Sequence, residues 1–161
     1  MKKGTKYIPE GLHTVTPYLT VRNAAQALEF YKQAFGAKEL HRMSGPDGRV
    51  MHAAFQIGDS QIFLSDEFRE MPTSKSPETL NGSPVSILIY VQDVDSVFKA
   101  ATQAGATALE KPKDQFWGDR WSTVRDPFGH YWQIATRVEE VTPEEMKKRM
   151  TQMMSAPQSQ R

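Results

Sequence analysis

The feature that most constrains this chain is an internal repeat. Leu19-Thr20-Val21-Arg22-Asn23 lies over Ile89-Tyr90-Val91-Gln92-Asp93 at an offset of about 70 residues. The match continues from a helix cap (Asn23, Asp93) through an apolar helical stripe to a glycine (Gly36, Gly105). In the first copy, Ala24, Ala27, Leu28, Tyr31 and Phe35 form the stripe; in the second, Val94, Val97, Phe98 and Ala101 do so. A strand precedes each helix and strands follow it, so each copy reads as βαβββ. Two such units sharing a sheet account for nearly the whole of 161 residues.

Within the first unit, His13 to Val21 alternates, with Val15, Pro17, Leu19 and Val21 on one face and Thr14, Thr16, Tyr18 and Thr20 on the other. Pro17 cannot donate to a ladder, which predicts an edge strand or a bulge. Strands follow over 38–43, 49–57 and 61–66, with turns at Gly45-Pro46-Asp47-Gly48 and Gly58-Asp59-Ser60. Residues 67–84 are rich in Ser, Pro, Thr, Asn and Gly and lack periodicity, so a linker or lid is expected there. The second unit runs over 85–137. Residues 1–12 form a polar leader, and 138–161 a terminal helix and a disordered tail. In that helix Thr142 and Glu145 fit a capping box, Pro143 takes the first position, and Met146, Met150 and Met153 share one side. A methionine stripe of this kind suits a neighbouring surface or a dimer partner.

Composition narrows the function classes. A net charge of +1, with no basic cluster longer than Lys147-Lys148-Arg149, provides no field for nucleic acid. Cysteine is absent, which removes disulfides, thiolate metal sites and cysteine nucleophiles. No run approaches the ~20 apolar residues of a membrane span, and the basic N-terminus has no apolar stretch behind it. A cytoplasmic protein that meets neither membrane nor nucleic acid is the expectation.

The second unit ends in FWGDRWSTVRDPFGHYWQIAT, Phe116 to Thr136, read as a hairpin turning at Asp126-Pro127-Phe128-Gly129. It holds all three tryptophans, Trp117, Trp121 and Trp132, with Arg120 and Gln133 among them. Strand parity in 121–125 is ambiguous, so which tryptophan faces a pocket stays open. This hairpin, the helix AAQALEFYKQAFGA and the run RVMHAAFQIGDSQIFLSDE resemble the vicinal-oxygen-chelate (glyoxalase/bleomycin-resistance) superfamily, its PhnB-like branch in particular. The resemblance implies an α+β fold: two tandem βαβββ modules forming a cupped eight-stranded mixed sheet with helices on the convex side. It also implies a homodimer and a small-molecule ligand held in the cup.

Enzymes of that superfamily hold a divalent metal with His, Gln and Glu from the first and last strand of each module. Here those positions fall on Thr16, Phe63, Ser86 and Gln133. Phenylalanine has no lone pair and a neutral hydroxyl binds weakly, so no metal and no other cofactor are expected. The leading reading is therefore a protein that binds a small organic molecule without catalysing metal chemistry. The alternatives are a metal-dependent lyase, isomerase or dioxygenase with ligands elsewhere, and a protein-interaction module. Tyr18, Phe63, Tyr90 and Gln133 should share the concave side, with Thr16, Ser86, Trp117 and Trp121 as further ligand contacts. His52 points to that side as a ligand contact, a weak acid/base candidate or a structural histidine. Arg120 either stacks on a ring and forks onto an anionic ligand or bridges to Asp119 or Asp114. His13, His41, His52 and His130 show no paired ligand spacing, and His130 should be solvated in its turn.

Overall fold

The structure is a computed structural model and describes residues 5–155. The first four residues of the leader and the tail beyond Ser155 lie outside the described residues. The chain is α+β, built as two βαβββ modules in tandem. β1 (Tyr18–Val21), α1 (Ala24–Phe35), β2 (Lys38–Ser44), β3 (Val50–Ile57) and β4 (Ser60–Asp66) make the first. After α2 (Pro77–Leu80) come β5 (Ser86–Tyr90), α3 (Val94–Gln103), β6 (Thr107–Asp114), β7 (Asp119–Arg125) and β8 (Tyr131–Arg137); α4 (Pro143–Ser155) follows. The eight strands lie in two four-stranded mixed sheets, ordered β1-β4-β3-β2 and β5-β8-β7-β6. In each, the first strand pairs in parallel with the last and occupies an edge.

The helix signals act as read. Asn23 accepts from the Gln26 N–H at 3.1 Å, and Gly36, at φ +64°, lets α1 end in a left-handed turn. Asp93 caps α3 through the Asp95 and Ser96 amides. The second helix stops differently, with Ala104 as its right-handed cap and Gly105 one residue on. The alternation from His13 is only partly used. Leu19 and Val21 are buried, but Val15 is 81% exposed and regular pairing begins at Tyr18. The Phe63 amide still reaches the Pro17 carbonyl at 2.9 Å.

Both helices cover one face of their own sheet and touch each other, so the core lies between them and the two sheets. Tyr31 of α1 stacks on Phe55 of β3 at 5.0 Å between ring centres, and Phe35 meets Trp132 of β8 at 4.7 Å. Trp132 is fully buried, so this tryptophan belongs to the core. Asp126, in the β7–β8 turn, joins the modules: its carboxylate accepts from the Tyr31 hydroxyl (2.8 Å), the Trp132 Nε1–H (2.9 Å) and the amides of Phe128 and His130 (both 2.9 Å). Four donors explain how a carboxylate sits in an apolar core.

The segment between the modules is ordered by its own polar contacts. Glu67 accepts from the Ser76 and Thr79 hydroxyls at 2.6 and 2.7 Å, and Ser76 caps the single turn of α2. At the other end α4 buries none of its residues and is tied down through Arg149, which donates to Glu139, Glu145 and the Phe116 carbonyl. Thr142 caps α4 through the Glu145 amide, as its sequence indicates. Among the described residues no helix is long and apolar enough to cross a membrane.

Candidate functional site

Each sheet has one face under a helix and one that no helix covers, and pleat parity decides what stands on the open face. On the first sheet, Tyr18 lies opposite Phe63 and Phe63 opposite Ala54, so these residues share the open side with His52. The rings touch. Tyr18 is T-shaped to Phe63 at 5.8 Å, Phe63 is T-shaped to His52 at 4.8 Å, and the Tyr18 hydroxyl bonds His52 Nδ1 at 2.9 Å. His41 joins from β2, its ring centre 5.1 Å from that of His52. Partial burial, reinforced by His41 alongside, holds the His52 pKa below its ordinary 6.5. Both effects favour the uncharged imidazole.

The open face of the second sheet is built around a buried carboxylate. Asp119, 2% exposed, accepts from the Tyr90 hydroxyl at 2.8 Å, the Trp117 Nε1–H at 3.2 Å and Arg137 Nε at 3.0 Å. Trp121 stands at right angles to Trp117, 5.9 Å away. Ser86, Leu88 and Tyr90 of β5 lie on this side with Gln133 of β8 and Thr123 of β7. The hydrogen bond to Asp119 raises the Tyr90 pKa, so its phenol stays protonated and fixed.

A cleft of about 760 Å³ separates the modules where the 13–17 segment faces β5. Phe35, Ile57, Ile62, Ile87, Ile89 and Val97 give it apolar walls, and Thr16, Gln61 and Tyr90 reach it from the rims.

The expected site residues therefore fall into three groups. Tyr18, His52 and Phe63 meet on one sheet. Ser86, Tyr90, Trp117, Trp121 and Gln133 share the open side of the other. Thr16 lies off the end of β1, in the cleft. Arg120 stands apart from all of them. It lies on the helix-facing side of β7, where its guanidinium donates to Asp95 of α3 at 2.6 and 2.8 Å and to Asp114 at 2.9 Å. The bridge to Asp114 is one of the two roles its sequence allowed; the Asp95 fork joins α3 to its sheet.

Two histidines depart from expectation. His41 and His52 look scattered along the chain but are neighbours across β2 and β3. His130 is half-buried, and its Nε2 lies 3.1 Å from the Thr20 carbonyl rather than in solvent. Asp119 is the residue the sequence reading missed; the signal was a lone acid two residues from each of two tryptophans in Trp117-Gly118-Asp119-Arg120-Trp121.

The four positions that the resemblance implies for a divalent ion carry residues that do not suit one. Thr16, Phe63, Ser86 and Gln133 bring one ring without a lone pair, two neutral hydroxyls and one amide, a donor set without the imidazole or carboxylate such an ion needs. Among the described residues no three His, Asp or Glu side chains converge, and no buried side-chain nitrogen or oxygen lacks a hydrogen-bond partner.

Comparison with known proteins agrees with this architecture. The chain is 44% identical over 139 residues to the uncharacterized protein Mb0911c of Mycobacterium bovis, covering 85% of this chain and 91% of that one. The crystal structure of TioX from Micromonospora sp. ML1 superposes with a TM-score of 0.61 at 25% identity, over 78% of this chain and 99% of TioX. A PhnB protein from Bacillus cereus, described as a putative 3-demethylubiquinone-9 3-methyltransferase, shares the fold with a TM-score of 0.61 at 18% identity, over 77% and 99% of the two chains. Residues 11–134 match the family model of the Glyoxalase/Bleomycin resistance protein/Dioxygenase superfamily, and the chain belongs to that superfamily.

Proposed function

We propose that this protein binds a small organic molecule, planar or partly apolar, on the aromatic open faces of its sheets, and that it does so as a cytoplasmic homodimer without the family's divalent ion. The observation that carries this reading is the placement of the rings. Tyr18 and Tyr90 are 52% and 57% exposed on faces no helix covers. Tyr18 touches the rings of Phe63 and His52, and Tyr90 shares the Asp119 carboxylate with Trp117, which packs edge-on against Trp121. Contiguous exposed aromatic surface with a few fixed polar groups is the usual dress of a recognition surface. Sequestration of a ligand needs no catalytic residue, which suits ligand positions that cannot hold a cation.

The second copy in this reading closes what one chain leaves open. An open sheet face binds a flat molecule from one side only, whereas a face from a second copy laid over it excludes water from both. The exposed edge strands β1 and β5 give that copy a place to approach. Light scattering tests the assembly: a mass twice that of the chain supports it, and a monomer at micromolar concentration removes it. A thermal-shift screen of planar heteroaromatic compounds tests the ligand, because binding to the native state alone raises the melting temperature. A stabilising compound should lose its effect in Phe63→Ala and Trp121→Ala. If no compound stabilises the protein while another protein co-purifies with it, the ligand reading fails.

A further inference from the structure

On the open face of the first sheet, His41 and Met43 stand two residues apart on β2 and point the same way. Across the ladder, Met43 lies directly opposite His52, and His41 lies opposite Ala54. Directly opposed side chains on one sheet face have Cβ atoms about 5 Å apart, within reach of a flexible thioether. The His41 and His52 ring centres are 5.1 Å apart. Two imidazoles sharing one ion at a metal–nitrogen distance of about 2 Å, at an angle between tetrahedral and trigonal, place their ring centres roughly 5 to 5.5 Å apart.

The Tyr18 hydroxyl fixes one of these rings. It bonds His52 Nδ1 at 2.9 Å, and when Nδ1–H donates to the phenolic oxygen the Nε2 lone pair is left for an ion. A partner of this kind on the far nitrogen is how metal-bound histidines are oriented. Among the described residues no acidic side chain completes a cluster with the two histidines, which leaves the Met43 thioether as the candidate third donor. Two imidazoles and a thioether favour a soft, low-coordinate cation over zinc, calcium or magnesium.

We propose that His41, Met43 and His52 form a binding site for Cu(I). The site is separate from the four positions where relatives hold a divalent ion, and it does not depend on the organic-ligand reading, although both use His52.

The test is anaerobic titration of the protein alone against the Cu(I)–bicinchoninate complex in ascorbate. Wild type should withdraw one equivalent of Cu(I). His41→Ala and Met43→Leu should each weaken binding at least tenfold. Both positions are exposed, and circular-dichroism melting checks that the variants stay folded. Methionine-methyl NMR separates this site from the other seven of the eight methionines. The Met43 signal should move first as Cu(I) is added, and an equivalent of Zn(II) should leave it in place. Failure of wild type to compete, unchanged affinity in Met43→Leu, or a shift spread evenly over the α4 methionines overturns the proposal.

Discussion

Tyr31 and Asp126, 95 residues apart in sequence, share a 2.8 Å hydrogen bond inside the core, so the helix of the first module is bonded to the final hairpin of the second. Burial, the charge on Asp126 and that bond together raise the Tyr31 pKa well above 10, which keeps the phenol a donor throughout the accessible range. Tyr31→Phe removes the donor, leaves the ring, and strips Asp126 of one of four partners. The expected loss is about 1–3 kcal/mol, seen as a lower urea midpoint at an unchanged slope. An unchanged midpoint would assign the joining of the modules to ring packing alone.

Glu67 makes stability depend on acidity. Hydrogen bonds from the Ser76 and Thr79 hydroxyls lower its pKa from the ordinary 4.5 to about 2. Because the folded value lies below the unfolded one, the stabilisation is fully present above pH ~4.5 and is lost as pH falls towards 2. Glu67→Gln should flatten the melting-temperature profile over that window relative to wild type. Equal slopes for the two proteins would show that the contacts around Glu67 do not favour its charged form.

Gly118 should not tolerate a side chain. It has φ +95°, and a Cβ built there collides with the Glu139 carbonyl oxygen and lies 2.9 Å from Val141. Its own carbonyl accepts from the amides of Val138 and Glu139, so the collision falls on the segment leading into α4. Gly118→Ala should cost about 1–2 kcal/mol from the backbone alone, with more from the clash. A melting curve that matches wild type would refute this.

Arg120→Ala and Trp121→Ala, adjacent in sequence, should have opposite effects. Arg120 holds Asp95 and Asp114 on the helix side of β7, so its loss should lower the melting temperature slightly and leave binding on the open face intact. Trp121 faces the other way, so its loss should weaken a stabilising planar compound more than it weakens the fold. Calorimetry with one such compound decides, and stronger loss of binding in the arginine variant would reverse the assignment of faces.

The duplication was legible because its markers are local. Asn23, Asp93 and Gly36 act within a few residues of themselves, and the apolar stripes of both helices follow from spacing. What escaped depends on register. His41 meets His52 because the β2–β3 ladder shifts between Glu39 and His41, and no window along the chain contains that irregularity. The face of Arg120 was illegible because Asp119-Arg120-Trp121-Ser122-Thr123-Val124 mixes polar and apolar residues on both parities; its partner on the helix side, Asp95, lies 25 residues upstream. The linker reads as formless since its order comes from one glutamate gathering hydroxyls. The first strand looks longer in sequence than it is because alternation marks a capacity for pairing, which needs a neighbour to be realised.

The outer edge of β5 has a practical consequence. From Val85 to Val91 the sequence VSILIYV carries no charged residue, and Val85, Leu88 and Tyr90 are 65%, 41% and 57% exposed. Proteins ordinarily guard such a margin with lysine, proline or a bulge, because an unguarded one templates sheet growth between molecules. Here Pro84 alone stands sentry. Precipitation during refolding or on concentrating the sample should begin at this ribbon, and Val85→Lys, at its exposed start and off the open face, is the simplest remedy for the bench.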